Sequence, residues 1–210
     1  MADLLYEVAL EFKKLTHTGY RIVLGRQGKS FELQVRFPRN SFFHLTGLQH
    51  LEDITFSSTN KERIYKDILQ KKLTFIDIEK SVFFKNFFIQ ERLSHLKYLE
   101  EILDSAQLVF LINPREYLKY TKIYANYLCV YALPNNKIDT LYLFLVKDVH
   151  SKVDNACKAC SFFKKHDTDY TRGTAQAKLL LSEKILNLGT PLEKRMEIYR
   201  NPIYKEEHST

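Results

Sequence analysis

Two neighbouring stretches, Lys122–Leu133 and Leu141–Val146, are apolar at both parities, and nothing else in the chain limits its fold so strongly. A strand with one wet face alternates apolar and polar residues. A run that is apolar at odd and even positions alike has both faces covered. Residues 122–133 and 140–147 are therefore expected as central strands, joined through a Pro134-Asn135-Asn136 turn into an antiparallel hairpin. Leu108–Ile112, Asn155–Lys164 and Lys178–Ile185 read as further strands after Ser105. Covering two faces takes bulky side chains, which the chain has in 15 Phe and 13 Tyr, with 45% hydrophobic residues overall.

Upstream the periodicity changes. Leu4, Leu5, Val8, Phe12 and Leu15 recur at helical spacing, so residues 3–16 read as an amphipathic helix ended near Gly19. Tyr20–Leu24 and Phe31–Phe37 follow as strands around a Gly25–Ser30 turn. Phe31, Leu33, Val35 and Phe37 alternate with Glu32, Gln34 and Arg36, the pattern of a sheet wet on one face. Pro38 and Asn40 stop that strand, and Asn40 or Ser41 caps the next helix. Asn60 caps a helix over 61–71, and Thr74 caps a short one through Lys80. A longer helix is expected from Ser81 or Val82 to Asp104, with Phe84, Phe88, Arg92, His95, Leu99, Ile102 and Leu103 on its inward stripe. The order predicts an α+β domain with segregated elements: an N-terminal helix and short strands, a helical block, then an antiparallel sheet. One domain over 1–200 is expected, with 201–210 a frayed tail.

The net charge of +7 and pI near 9.1 favour an anionic partner, nucleic acid ahead of an acidic membrane. Three cysteines, an N-terminus without the basic-then-apolar order of a signal peptide, and no span-length apolar run lead to the expectation of a cytoplasmic protein with no membrane partner. Cys157-Lys-Ala-Cys160 has the spacing of half a zinc site. On a strand, though, residues three apart point to opposite faces, and a second ligand pair is missing, so neither a metal site nor a cofactor is expected. Gly25-Arg26-Gln27-Gly28-Lys29-Ser30 superficially looks like a phosphate loop, but it joins two expected strands, and HExxH and GxSxG are absent.

Candidate chemistry starts at Ser41–Leu51, SFFHLTGLQHL. On a helix, His44 joins the Leu45, Leu48 and Leu51 stripe, His50 projects to nearly the opposite side, and Gly47 lies on the flank. A missing side chain there lets another group come close. An inward imidazole either bonds a core carbonyl or titrates near neutrality in a site. Arg92 and His95 interrupt the apolar stripe of their helix. A buried Arg92 needs a carboxylate such as Glu62 or Asp104, or awaits a phosphate; His95 reads as structural. Basic and aromatic residues then mix along the sheet: Lys119, Tyr120, Lys122, Tyr124 and Asn126, later Ser161, Lys164, Lys165, Tyr170 and Arg172. Lys122, Tyr124 and Asn126 are expected on one strand face. Aromatic rings can stack splayed RNA bases while cations hold phosphate. A metal-free ribonuclease needs little more than a proton acceptor, a proton donor and cations at the phosphorus.

Several blocks also fall in a familiar order: Phe43-His44-Leu45-Thr46-Gly47-Leu48, Lys80-Ser81-x-Phe83-Phe84, Arg92, Leu99-Glu100-x-Ile102-Leu103-Asp104, Lys122-Ile123-x-Ala125-Asn126-Tyr127-Leu128, Ser161-Phe162-Phe163 and Ala177–Ile185. Over roughly residues 30–187 the chain resembles phage-borne nuclease-like domains of the barnase–EndoU–colicin–RelE superfamily, specifically its fourth phage family. The resemblance implies a metal-independent endoribonuclease-like α+β fold, with helices followed by a four-stranded antiparallel sheet, in phages, prophages or mobile elements. By position it carries over His44, Lys80, Ser81, Arg92, Lys122 and Ser161. Asn126 stands where an acidic residue is more usual.

The expected function is metal-independent RNA cleavage through attack of the 2′-hydroxyl. His44, Arg92, Lys122 and Ser161 form the expected catalytic set, and Lys80, Ser81, Tyr124, Asn126, Tyr170 and Arg172 contact substrate. The partner is RNA (tRNA or mRNA), with a cognate inhibitor or host protein as a second partner, in the cytoplasm of a bacterial host. The alternatives are a non-catalytic phage protein that binds nucleic acid or inhibits a host nucleic-acid machine, and a structural phage component.

Overall fold

The computed structural model describes residues 3–105, 108–133 and 139–205. The chain opens with helix α1 (Leu4–Leu15), which is capped by the Asp3 side chain and buries Leu5, Ala9, Phe12 and Leu15. Strands β1 (Gly19–Arg26) and β2 (Lys29–Arg36) pair antiparallel. Their two-residue turn, Gln27-Gly28, has φ of 51° and 75°, the positive pair that matches the right-handed twist of a hairpin.

The helical block follows: α2 (Ser41–Leu45), a 3-10 turn at Leu48–His50, α3 (Lys61–Leu69), α4 (Phe75–Glu79), α5 (Ile89–His95), a 3-10 turn at Leu96–Tyr98, and α6 (Leu99–Ser105). Asn60 caps α3, and Thr74 caps α4 in a reciprocal box with Asp77, satisfying amide donors that a helix start leaves over. The long helix expected through 81–104 does not form. Residues 82–88 are turns, Phe88 takes φ 53° in the left-handed region, and the remainder divides into α5, the 3-10 turn and α6. Phe88 therefore leaves the inward stripe and is half exposed, while Phe84, Leu99, Ile102 and Leu103 keep their buried places. No Gly or Pro marks the break, so periodicity alone runs through it.

Beyond it lie β3 (Leu108–Leu111), the single turn α7 (Pro114–Tyr117), β4 (Tyr127–Ala132), β5 (Thr140–Lys147), β6 (Ala156–Lys164), β7 (Ala175–Leu186) and β8 (Lys194–Arg200). β8 has no counterpart among the expected strands, because it is almost wholly exposed and carries no apolar alternation. The Pro134-Asn135-Asn136 turn lies outside the described residues, but β4 and β5 do pair antiparallel, from Tyr127↔Leu145 to Ala132↔Thr140. Of the tail expected from 201, residues 206–210 are outside the described set. Asn201 is buried, its amide bound to the Leu180 carbonyl.

β4 starts at Tyr127 rather than at Lys122. Lys122, Tyr124 and Asn126 therefore sit in an irregular segment and do not share a strand face. Asn126 anchors that segment: its side-chain oxygen accepts from the Lys147 amide and its carbonyl from the Ile112 amide.

The early hairpin and the later strands belong to one sheet. β1 pairs antiparallel with β7, and β2 pairs in parallel with β6, which closes β1-β2-β6-β5-β4-β3-β7 into a barrel with β8 alongside β7. The expected antiparallel sheet is thus a closed barrel with one parallel pairing, and closure removes free strand edges. The covered faces of β4 and β5 are as expected. Tyr127, Cys129, Leu141, Leu143 and Leu145 join the helices in the main core. Leu128, Tyr142 and Phe144 form a second cluster with Tyr117, Ala125 and Phe163 on the opposite face.

One irregularity positions the site. Where β6 meets β5, Ala159 pairs with Leu145 and Ser161 with Phe144, leaving Cys160 as an extra residue. Cys157, Ala159 and Phe162 enter the main core, whereas Cys160 and Phe163 go to the other cluster. The bulge thus sets Cys160 and Ser161 side by side on one face, as bulges near functional sites often do.

Candidate active site

A cleft of about 810 Å³ lies where α2, the 83–92 region and the 120–124 segment meet β6. Its position follows from the Ser41–Leu51 stretch. Leu45 and Leu48 are buried anchors, and His44 is at the end of α2. Gly47 then turns the chain with φ 80° into the 3-10 turn. That left-handed residue ends the helical phase, so His50 does not point away, as a continuous helix would require. It lines the same cleft as His44.

Nε2 of His44 is 2.6 Å from Nζ of Lys61. The ammonium donates, so the imidazole accepts on Nε2 and carries its proton on Nδ1. Burial, followed by the Lys61 charge, lowers the His44 pKa from 6.5 to about 4, leaving a neutral ring at neutral pH. His50 stacks on Phe87 with ring centres 4.3 Å apart, and the Gln49 amide nitrogen lies 3.1 Å from its Nε2. Its pKa is also lowered, by burial and then by Arg92.

Arg92 donates Nε–H to the Phe87 carbonyl at 3.1 Å and Nη1–H to the Phe162 carbonyl at 3.2 Å. Its guanidinium carbon lies 5.0 Å from the centre of the Phe163 ring. Burial lowers its pKa to about 10, which still leaves it charged at neutral pH. Neither expected carboxylate reaches it. Asp104 accepts from Tyr20 and Lys184, each at 2.8 Å, and Glu62 is exposed on α3. The remaining guanidinium N–H groups have no protein acceptor among the described residues, an arrangement suited to an anion.

Lys122, Tyr124, Ser161 and Tyr170 line the cleft with His44 and Arg92. Four other expected site residues do not. Lys80 pairs with Asp77 at 3.3 Å, and the Ser81 hydroxyl donates to Asp53, so both secure the α4 region. Asn126 serves the backbone bonds described above, and Arg172 is exposed and does not line the cleft. His95 is structural, with Nδ1 2.8 Å from the Glu91 carbonyl. Cys160 lines the cleft, but burial pushes its thiol up to about 12, so it remains protonated and is a poor nucleophile.

The structure adds Tyr120, His50, His166, Phe87 and Phe88 to the lining. His166 is held by Glu91, Nε2 to carboxylate oxygen 2.9 Å, and stacks on Phe88 with ring centres 4.1 Å apart. Nothing in the sequence around His166 signals this, since its partners come from the far side of the unforeseen break at Phe88. Among the described residues no group of three or more His, Cys, Asp or Glu side chains could hold a metal ion.

The family model described as phage-Barnase-EndoU-ColicinE5/D-RelE like nuclease4 (PBECR4) matches residues 4–208. The chain belongs to this family. No curated protein and no solved structure matches. The PBECR4 match extends beyond the 30–187 blocks to include α1 at one end and β8 at the other. In this PBECR4 chain the His44-Leu45-Thr46-Gly47-Leu48 block has a physical basis. Two leucines anchor it, Thr46 bonds back to the Phe42 carbonyl at 2.8 Å, and Gly47 leaves room for Arg92. A nuclease-like family points to nucleic acid as substrate, and no helix among the described residues is long and apolar enough to cross a membrane.

Proposed function

We propose that this PBECR4 chain cleaves RNA without a metal, transferring the phosphoryl group from the 5′-oxygen to the neighbouring 2′-oxygen. The observation that carries the reading is Arg92, a largely buried guanidinium that makes no ion pair or hydrogen bond with a carboxylate among the described residues, in the same cleft as His44. A phosphodiester there would receive the N–H groups that the protein leaves unused, and charge growing on its oxygens would be met by a preorganised donor.

In this scheme neutral His44 accepts the 2′-hydroxyl proton, displacing its bond to Lys61. The 2′-oxygen attacks phosphorus, and the bond to the 5′-oxygen breaks. The imidazolium so formed is a strong acid in these surroundings and returns a proton to the departing 5′-oxygen. Arg92 and Lys122 hold the phosphate, Ser161 adds a hydrogen bond from the bulge, and Tyr124 and Tyr170 contact the flanking nucleotide. The products are a 2′,3′-cyclic phosphate and a free 5′-hydroxyl.

The test is RNA cleavage in EDTA by wild type and His44→Ala. Cyclic-phosphate ends from wild type, reduced about a hundredfold or more in the variant, support the reading; equal cleavage removes His44 from the chemistry. The Lys61 contact on Nε2 favours a second reading, in which the cleft binds nucleic acid without cutting it. Tight binding with no product in any buffer selects that one.

A further inference from the structure

The cleft carries more aromatic surface than its few cations and imidazoles can use. Tyr120 is 85% exposed, Tyr124 58% and Phe88 49%, and all three line the same cavity. Water-facing aromatic rings contribute little to folding, so three around one cleft call for another explanation.

Phe88 adds an independent observation. Its backbone sits at φ 53°, ψ 39°, a conformation that is an outlier for a bulky side chain. Placing any L-residue there costs on the order of 1–2 kcal/mol. The cost is not repaid by burying the ring, which is half exposed and meets a single ring partner among the described residues, His166. That partner is itself fixed, through Nε2, by Glu91. Among the described non-glycine residues at positive φ, Phe88 alone lines the cleft, and backbone strain of this kind clusters at functional sites.

We infer that the cleft takes single-stranded RNA, with one unpaired base stacking on the Phe88–His166 pair and a neighbouring base on Tyr120 and Tyr124. This rests on reading the cleft as an RNA site and supplies its substrate class. In an A-form duplex the bases are stacked on each other and unavailable to side-chain rings, so duplexes are held through phosphates and 2′-hydroxyls across a broad face. Among the described residues, Arg92 and Lys122 are the only Arg or Lys side chains lining the cavity, with Lys61 bound to the His44 ring, too few for a duplex footprint. An unpaired strand needs fewer cations, because each stacked base adds about 1–3 kcal/mol. Splaying adjacent bases also frees the intervening phosphodiester to rotate toward Arg92.

The experiment measures binding by fluorescence anisotropy with 2′-O-methyl oligoribonucleotides, which lack the attacking hydroxyl and stay intact. The single strand should bind at least tenfold more tightly than the same sequence in a duplex. Tyr120→Ala and Phe88→Ala should each weaken binding by roughly tenfold, with the dependence on salt unchanged because no phosphate contact is lost. Tyr120→Phe should bind as wild type. Tyr120 is too exposed for its truncation to threaten folding, so that variant keeps the test decisive should Phe88→Ala unfold. Equal affinity for duplex and single strand, or wild-type affinity in Tyr120→Ala, overturns the inference. Single-strand binding with these losses, but no cleavage of ordinary RNA, leaves it standing and removes the proposed reaction instead.

Discussion

A Cβ on Gly47 would stand 2.9 Å from Cδ and 3.2 Å from Nε of Arg92. The glycine and the arginine therefore share one volume, although 45 positions separate them in the sequence. Gly47→Ala should do two things. The backbone at φ 80° would cost about 1–2 kcal/mol in a non-glycine residue, lowering the melting temperature. The methyl would also push Arg92 off the Phe87 and Phe162 carbonyls. Binding of a single-stranded oligonucleotide should fall by more than the stability loss explains, which a titration well below the melting temperature would show. A variant that melts earlier but binds normally would mean that Arg92 has room to move.

His44 makes stability depend on pH in a defined window. Its folded pKa of about 4 lies below its ordinary 6.5, so the unfolded chain takes up the proton first as pH falls. The contribution is fully present above 6.5 and drains away on descent toward 4. Urea midpoints of wild type should therefore drop across that interval more steeply than those of His44→Gln.

Lys61→Met removes the cation 2.6 Å from the imidazole. The His44 pKa should rise, because the Lys61 charge is second only to burial among the causes that depress it. The expected readout is an upward move of the His44 Cε1 proton titration, with the acid limb of any cleavage profile moving in step. An unmoved titration would show that the contact is absent in solution.

Arg92→Lys keeps the charge but not the geometry. A lysine cannot donate to two carbonyls from one rigid planar group as Arg92 does. Cleavage should fall by roughly a hundredfold if Arg92 is the transition-state donor, while circular dichroism stays that of wild type.

Far from the cleft, Lys184 is buried between Glu100 and Asp104, with contacts of 2.5 and 2.8 Å. Asp104→Ala leaves the ammonium with a half-exposed partner and the Tyr20 hydroxyl without its acceptor. Because Glu100 still pairs the ammonium, a loss of about 1–3 kcal/mol in unfolding free energy is expected. Lys184→Met should be milder, since it removes the charge together with its desolvation cost.

Much of this architecture is legible in the residues, and what is not has a local cause. The stripe of α1, the caps at Asn60 and Thr74, and the doubly covered β4 and β5 follow from periodicity and composition. The break at Phe88 does not, because no helix-breaking residue marks it. Its effect is local: Phe88 turns outward and gives His166 a partner that no pattern announces, while Leu99, Ile102 and Leu103 stay buried. At the site, His44 and Arg92 stand out as polar groups on apolar stripes, Lys122 and Ser161 through the basic and aromatic mix of the later strands and the family resemblance, and all four line one cleft. His50 was misplaced by one left-handed glycine. Lys80, Ser81 and Asn126 are polar for structural reasons that sequence spacing does not separate from functional ones.

The barrel seam between Gly19 and Ile185 has a consequence for synthesis. The first hairpin leaves the ribosome long before either of its flanking strands exists, and its backbone edges stay unpaired until β6 and then β7 are made. A nascent chain stalled before Ala175 lacks the strand that seals the seam. Such fragments are expected to engage chaperones or aggregate rather than accumulate as half-built domains, so the cell meets this cleft only once nearly the whole polypeptide is in place.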